Sequence, residues 1–186
     1  TDSLSAGFLL ALKDLEIRGA GEILGSNQSG VFESIGLELY TRMIRKASEF
    51  IKSGEVDFQS LNEQPEINLN YNCFIPENYL PDINVRLLMY NKVALAESNE
   101  DLKNIQIEMI NRFGLIPQEL KNFFLQAELK ILSENNSIEK INFNKNKISI
   151  KFKNGDLDTS FFNDGKLEEK VQMTTDVIRA ISSNVS

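Results

Sequence analysis

Apolar residues recur at helical spacing in two stretches of the first fifty residues, with a glycine-rich turn between them. The recurring positions are Leu4, Phe8, Ala11, Leu12 and Leu15 in the first stretch and Gly36, Tyr40, Met43, Ala47 and Phe50 in the second. Gly19, Gly21 and Gly25 break the pattern between the stretches. Glycine permits positive φ and close backbone approach, so this density predicts a tight hook. Residues 1–52 are therefore predicted to form a helix, a hook and a helix.

A boundary is predicted after this segment. Lys52, Ser53 and Gly54 end the second helix with a basic last turn followed by glycine. The chain is then polar as far as Pro65, with scattered apolar residues. We interpret residues 53–64 as a linker and residues 65–186 as a separate domain.

The first half of that domain has one strand pattern followed by three helix patterns. Residues 66–74 alternate between polar and apolar, as a half-buried strand does. A helix is predicted from Asp82 to about Ala94, and Ser98 and Asp101 have the spacing of a capping box that opens the next one. The third follows Pro117 and is apolar nearly all round, which is typical of the centre of a core.

The second half has strand patterns and one short helix pattern. Two alternating runs, 138–143 and 147–152, flank a polar turn, and a possible third run covers 158–162. A short last helix is predicted over 174–181. The fold class is therefore predicted as α+β, with about three to four helices packed on a short antiparallel sheet.

Composition narrows the possible functions. The chain has 41% hydrophobic and 25% charged residues, and no apolar run approaches the roughly 18 residues that a membrane span needs. We expect a cytoplasmic protein without a membrane partner. Its net charge of −7 has the wrong sign for a stand-alone nucleic-acid binder.

Catalytic and metal chemistry are poorly supported. The chain has one cysteine, Cys73, and no histidine, which excludes an internal disulfide, a conventional zinc site and nucleophiles paired with histidine. Residues 25–30 have the glycine spacing of a phosphate-binding loop, but Val31 and Phe32 stand where that loop needs Lys and Ser/Thr. We predict no catalytic residue, no metal and no cofactor in this chain.

The hook is more specific than its glycines alone. Residues 14–30, with the sequence DLEIRGAGEILGSNQSG, resemble the translocation motif of the DNA translocases typified by RecG and the bacterial transcription-repair coupling factors. The resemblance implies helicase-like, ATP-hydrolysing RecA-like motor lobes upstream in a longer parent, which bind ATP and Mg. It also implies that this segment couples hydrolysis to movement along duplex DNA. Arg18 would then engage the motor lobes, Gln28 would reach toward the DNA track, and Gly19, Gly21 and Gly25 would shape the hook.

Two further patterns distinguish the coupling factors from RecG. Residues 74–87 and 108–117 resemble two elements of the C-terminal domain of the coupling factors, a domain that RecG lacks. The resemblance implies an autoinhibitory domain that masks the domain recruiting the repair protein UvrA until the motor engages stalled RNA polymerase. Glu108 would make an interdomain contact, while Asn111 replaces the second acid of that pattern.

Three hypotheses remain at this point. The first is the C-terminal part of a coupling factor, with a translocation motif and an autoinhibitory domain. The second is an acidic protein-interaction adaptor without a motor role. The third, which has the least support, is an enzyme that uses a carboxylate pair.

Overall fold

The structure is a computed structural model that describes residues 65–155 and 157–185. Within these residues it has four strands and four helices. In chain order they are β1 (Glu66–Asn68), α1 (Ile83–Ala94), α2 (Asn99–Phe113), α3 (Gln118–Asn135), β2 (Ile138–Asn144), β3 (Lys147–Phe152), β4 (Thr159–Phe162) and α4 (Leu167–Val185). The predicted helix, hook, helix and linker of residues 1–64 lie outside the described residues.

Helix α2 begins and ends where its sequence requires. The Ser98 side chain accepts a hydrogen bond from the backbone N–H of Asp101, and the Asp101 carboxylate accepts one from the Ser98 N–H, so the predicted capping box is confirmed. At the other end Gly114 has φ of 91°, a left-handed value that disfavours side chains with a Cβ, and its N–H donates to the Ile110 carbonyl. Both ends of the helix are therefore fixed locally.

Helix α3 is the centre of the core, as its apolar pattern predicts. Its fully buried side chains include Leu120, Phe123 and Leu129. Two buried amides on the same helix bind the segment around β1: Asn122 donates to the Asn72 carbonyl, and Gln126 donates to the Ile67 carbonyl. Helix α3 thus holds residues 67–72 of the domain by polar as well as apolar contacts.

The strands form one sheet in the order β1-β2-β3-β4. Strands β2, β3 and β4 are an antiparallel meander, and β1 pairs with β2 in parallel. The fold is α+β as predicted, but its sheet is mixed. The parallel pair joins segments that are about seventy residues apart, which local patterning cannot detect.

Only one face of the sheet is apolar. The side chains on that face pack into the core and are Ile67, Ile141, Phe143, Ile148, Ile150 and Phe152. Helix α3 packs against β1 and β2, and α4 packs against α3. The alternate residues of the strands form the opposite face, which we call the open face.

Two elements differ in length from their predictions. Strand β1 ends at Asn68 because Asn70 adopts φ of 58° and donates its N–H to the Asn68 side chain, which turns the chain out of the strand. Helix α4 runs from Leu167 to Val185 and is longer than the predicted 174–181. Its first two turns contribute the buried Leu167 and Val171, which continue the helical spacing toward the N-terminus.

Candidate functional site

Glu108 lies at the centre of an ionic cluster that joins α1 to α2. Its Oε2 accepts a hydrogen bond of 2.6 Å from Lys92 Nζ, and its Oε1 accepts one of 2.7 Å from Arg112 Nη1. Lys92 belongs to the last turn of α1, and Arg112 lies one helical turn after Glu108. Both carboxylate oxygens are therefore engaged within the domain.

The two cations keep Glu108 ionised. The hydrogen bond from Lys92, together with that from Arg112, holds the pKa of Glu108 below its ordinary value of 4.5 despite partial burial. All three side chains remain partly exposed. The cluster is thus a fixed ionic feature at the surface of α2, in which two cations share one carboxylate.

Tyr79, in the first of the two patterns that resemble the coupling factors, anchors the C-terminal end of α2. Tyr79 Oη lies 3.1 Å from the Gly114 carbonyl oxygen and 3.2 Å from that of Met109, so the hydroxyl group can donate to either. The Tyr79 ring packs edge-on against Phe113 at 6.3 Å between centroids. The Arg112 guanidinium lies over the Phe113 ring, with its central carbon 4.8 Å from the ring centroid. Tyr79 therefore fixes the helix turn that carries Arg112.

Arg86, in the same pattern, has a structural role. Its side chain is 7% exposed, and Nη1 donates to the Leu80 carbonyl at 2.9 Å. The neighbouring Tyr90 hydroxyl accepts a hydrogen bond of 2.8 Å from the Ile75 N–H. Together these bonds fold residues 75–80 back onto α1, so this pattern marks a scaffold for α2.

An apolar groove lies on the flank of α2 away from the cluster, between α2, α3 and the start of α4. Its volume is about 470 Å³, and its lining is Gln106, Ile110, Leu115, Ile116, Lys121, Phe124, Leu125, Glu128 and Glu168. Leu115, in the turn after α2, is 89% exposed, and Ile107 and Ile110 on α2 are 48% and 42% exposed. Burial raises the pKa of Glu128, one of the acids in the groove. Monomeric proteins seldom expose neighbouring large apolar side chains without a binding role.

Groove and cluster lie on opposite flanks of the exposed surface of α2. At 100° per residue the helix presents Ile110, Ile107, Asn111, Glu108 and Arg112 in that order around its surface. Ile107, Asn111 and Arg112 are exposed, and Glu108 is partly exposed. We call this surface, with the adjoining Leu115, the α2 face.

The predicted site residues divide into two groups. Glu108 lies on the α2 face, where its predicted interdomain contact stays a prediction. The predicted motor-coupling and DNA-track residues Arg18, Gln28, Gly19, Gly21 and Gly25 lie outside the described residues. Sequence reasoning missed Lys92 as a partner of Glu108, because that contact spans two helices, although the spacing of Arg112 was readable.

The side chains of the described residues offer neither a cluster suited to a metal ion nor a reactive thiol. Between residues 65 and 185, with residue 156 left out, no group of three or more His, Cys, Asp or Glu side chains could hold a metal ion. Burial raises the pKa of the Cys73 thiol to about 12, which makes it a poor nucleophile. No helix described in this range is long and apolar enough to cross a membrane.

Known proteins match the part of the chain that contains the two sequence patterns. The TRCF domain profile matches residues 69–160. The transcription-repair-coupling factor of Haemophilus influenzae is 45% identical over 135 residues, which are 72% of this chain and 12% of that protein. The protein of the same name from Borreliella burgdorferi is 42% identical over 151 residues, or 81% of this chain and 13% of that protein.

A third relative and one solved structure are also similar to the chain. The Escherichia coli transcription-repair-coupling factor is 38% identical over 153 residues, 81% of this chain and 13% of that protein. A crystal structure of the C-terminal domain of transcription-repair coupling factor aligns with a TM-score of 0.47 and 22% identity, over 48% of this chain and 56% of that chain. The chain spans about an eighth of the length of these three relatives. On the family profile and the identity of the relatives, the chain belongs to the transcription-repair coupling factor family.

Proposed function

We propose that the chain is the C-terminal part of a protein that acts in transcription-coupled DNA repair. The names and identities of its relatives support this assignment. The parent would be an ATP-dependent translocase on duplex DNA that displaces stalled RNA polymerase and recruits UvrA. Within it, residues 65–186 would be the regulatory part.

The α2 face carries this proposal for the described domain. It carries exposed apolar side chains between a groove on one flank of α2 and an ionic cluster on the other. An apolar centre with a polar, hydrogen-bonded rim is the usual composition of a protein interface. We infer that this face packs on the UvrA-recruiting domain of the parent and hides it in the closed state.

Glu108 has a defined part in this proposal. Because Lys92 and Arg112 already engage its oxygens, Glu108 would act mainly by holding Arg112 at the rim of the interface. Asn111 adds a neutral amide between Ile107 and Glu108, where the family pattern has an acid. Apolar burial would then supply more of the affinity than charge does.

Residues 1–52 would couple ATP hydrolysis in the motor lobes of the parent to movement along duplex DNA. A 151-residue match to the Borreliella protein exceeds the 122 residues that follow residue 64, so the similarity includes part of the first segment. The carry-over of the translocation motif to Arg18 and Gln28 rests on the resemblance of residues 14–30 to that motif. Substituting either by Ala in the parent should reduce translocation while ATP turnover survives, as measured by triplex displacement and phosphate release on the same variants.

Truncation of the parent tests the masking role. Removal of residues 65–186, with the cut in the 53–64 linker, should tighten UvrA binding about 5- to 150-fold, the range of a typical coupling free energy. A surface-binding titration of UvrA on intact and truncated parent measures this ratio. Equal affinities would reject masking and favour the adaptor hypothesis.

A further inference from the structure

The β2–β3 hairpin reverses the charge of the chain locally. Residues 138–153 contain five lysines and one acid, although the whole chain has a net charge of −7. The lysines are Lys140, Lys145, Lys147, Lys151 and Lys153. A local surplus of this kind attracts anions even on an acidic protein, because the charge near the surface decides short-range contacts at physiological salt.

Strand alternation places much of this charge on the open face. Since Ile148 and Ile150 point into the core, Lys147, Ser149 and Lys151 lie on the other side of β3. Lys147 pairs across the strands with Phe162, and Ser149 pairs with Ser160. The open face therefore combines cations with small polar groups and one aromatic ring.

Three lysines of the hairpin form no ion pair among the described residues: Lys153 follows one end of β3, and Lys145 and Lys147 lie at the other end, near Phe162. Lys140 is paired with Glu66 at 2.7 Å, and Lys151 with Glu139 at 2.8 Å. Among the residues that the structure describes, neither Lys145 nor Lys147 forms an ion pair. Their charges lie at the same end of the sheet as Phe162.

Phe162 is the most informative residue of this face. It is 76% exposed on the edge strand β4, while its neighbour Phe161 packs against the core. Next to Lys147 in the same cross-strand row stands Asn144, and the next row contains Asn142. Together these side chains offer a stacking surface, two cations and amides that can hydrogen-bond.

We propose that the open face binds single-stranded nucleic acid. Phe162 stacks on a base, Lys145 and Lys147 contact backbone phosphates, and Asn142 and Asn144 bond to base edges. A planar ring beside cations on an open sheet is the usual platform for unpaired bases. An acidic peptide would satisfy the lysines but leaves the exposed ring and the amides without a matching group. This surface is separate from the α2 face, so the inference goes beyond the masking role.

Anisotropy titration of the 186-residue chain into labelled oligonucleotides tests the proposal. Deoxyribo- and ribo-oligomers of about 12 nucleotides fit a site of this kind. Saturable binding below about 100 µM at about 50 mM salt is expected for either, and their ratio identifies the preferred sugar. Phe162→Ala should weaken binding about 5- to 150-fold. Lys147→Gln should weaken it and lower the slope of log affinity against log salt by about 0.7.

Matched control variants distinguish binding at the open face from general electrostatic attraction of the oligonucleotide to the protein. Leu115→Ala removes an exposed apolar side chain on the α2 face, and Lys103→Gln removes an exposed lysine of α2. Neither should change the affinity. Absence of binding at low salt would overturn the proposal, and so would equal affinity for the matching duplex or a polyglutamate peptide. An unchanged affinity of Phe162→Ala would also overturn it.

Discussion

The α2 face and the open face of the sheet handle charge in opposite ways. On α2 the Glu108 carboxylate is shared by Lys92 and Arg112, and the exposed surface beside the cluster is uncharged, with Asn111 next to the apolar Ile107. On the sheet Lys145 and Lys147 stand beside Phe162 without an ion pair among the described residues. Pairing within the domain, which the net charge of the chain does not reveal, decides the chemistry of each surface.

The difference implies two modes of binding. A partner of the α2 face gains mainly from apolar burial, so its affinity should depend weakly on salt. A ligand of the open face gains from phosphate contacts, so its affinity should fall steeply with salt. The following predictions use changes that affect one face and spare the other.

The largest contrast is expected between two phenylalanines. Phe124 is 1% exposed beneath the groove, and Phe124→Ala should cost about 3 to 5 kcal/mol of unfolding free energy, because it leaves a cavity in the core. Phe162→Ala makes the same chemical change on the open face and should stay within about 0.5 kcal/mol of the unsubstituted chain. Urea unfolding of the 186-residue chain measures both. Similar losses for the two variants would show that Phe162 is part of the core.

A smaller loss is expected at Arg86. Arg86→Met keeps the buried stem but leaves the Leu80 carbonyl without its donor, which should cost about 1 to 3 kcal/mol. The exposed Arg179 of α4 provides the control, and Arg179→Met should change stability by less than about 0.5 kcal/mol. Chemical denaturation of both variants gives the comparison. Equal stabilities would mean that the scaffold of the α2 face does not depend on Arg86.

The smallest effect is expected at Glu108 and depends on pH. The pKa of Glu108 is lowered in the folded state, so its contribution is complete above the unfolded value of 4.5 and is lost as the pH falls through the folded pKa. Glu108→Gln should therefore cost about 0.2 to 1 kcal/mol at neutral pH, the usual range for partly exposed pairs. The difference should disappear once both states are protonated.

Unfolding midpoints of the Glu108→Gln and unsubstituted chains, measured from neutral to acidic pH, check this sign. Asp164→Asn is a suitable control, because Asp164 lies in an exposed loop and forms no ion pair among the described residues. A difference at Glu108 that persists or grows in acid would contradict the ionic cluster.

Local rules predicted the elements whose signals lie within one turn. The capping box of Ser98 and Asp101 needs contacts only three residues apart, and the β2–β3 hairpin needs one polar turn between two alternating runs. Both could be read from the sequence because no distant partner decides them.

Features that depend on distant partners could not be predicted. The pairing of β1 with β2 and the bond from Lys92 to Glu108 join separate elements, and no periodicity encodes them. The length of α4 was underestimated because Leu167 and Val171 are separated by charged residues that weaken the apolar signal. For the site, the sequence indicated Glu108 but not the apolar groove on the opposite flank of α2, which forms only when α2, α3 and the start of α4 come together.

The UvrA affinity of the full-length parent carrying Ile110→Asp tests the masking role of the α2 face most directly. A charge at Ile110, which is 42% exposed at the groove, should weaken the masking contact of the α2 face. UvrA binding should then tighten toward that of the truncated parent, within about 5- to 150-fold. Leu157→Asp, at a residue 38% exposed and outside the groove, should leave the affinity unchanged. An Ile110→Asp parent that folds normally and binds UvrA no more tightly than the unsubstituted parent would contradict the account.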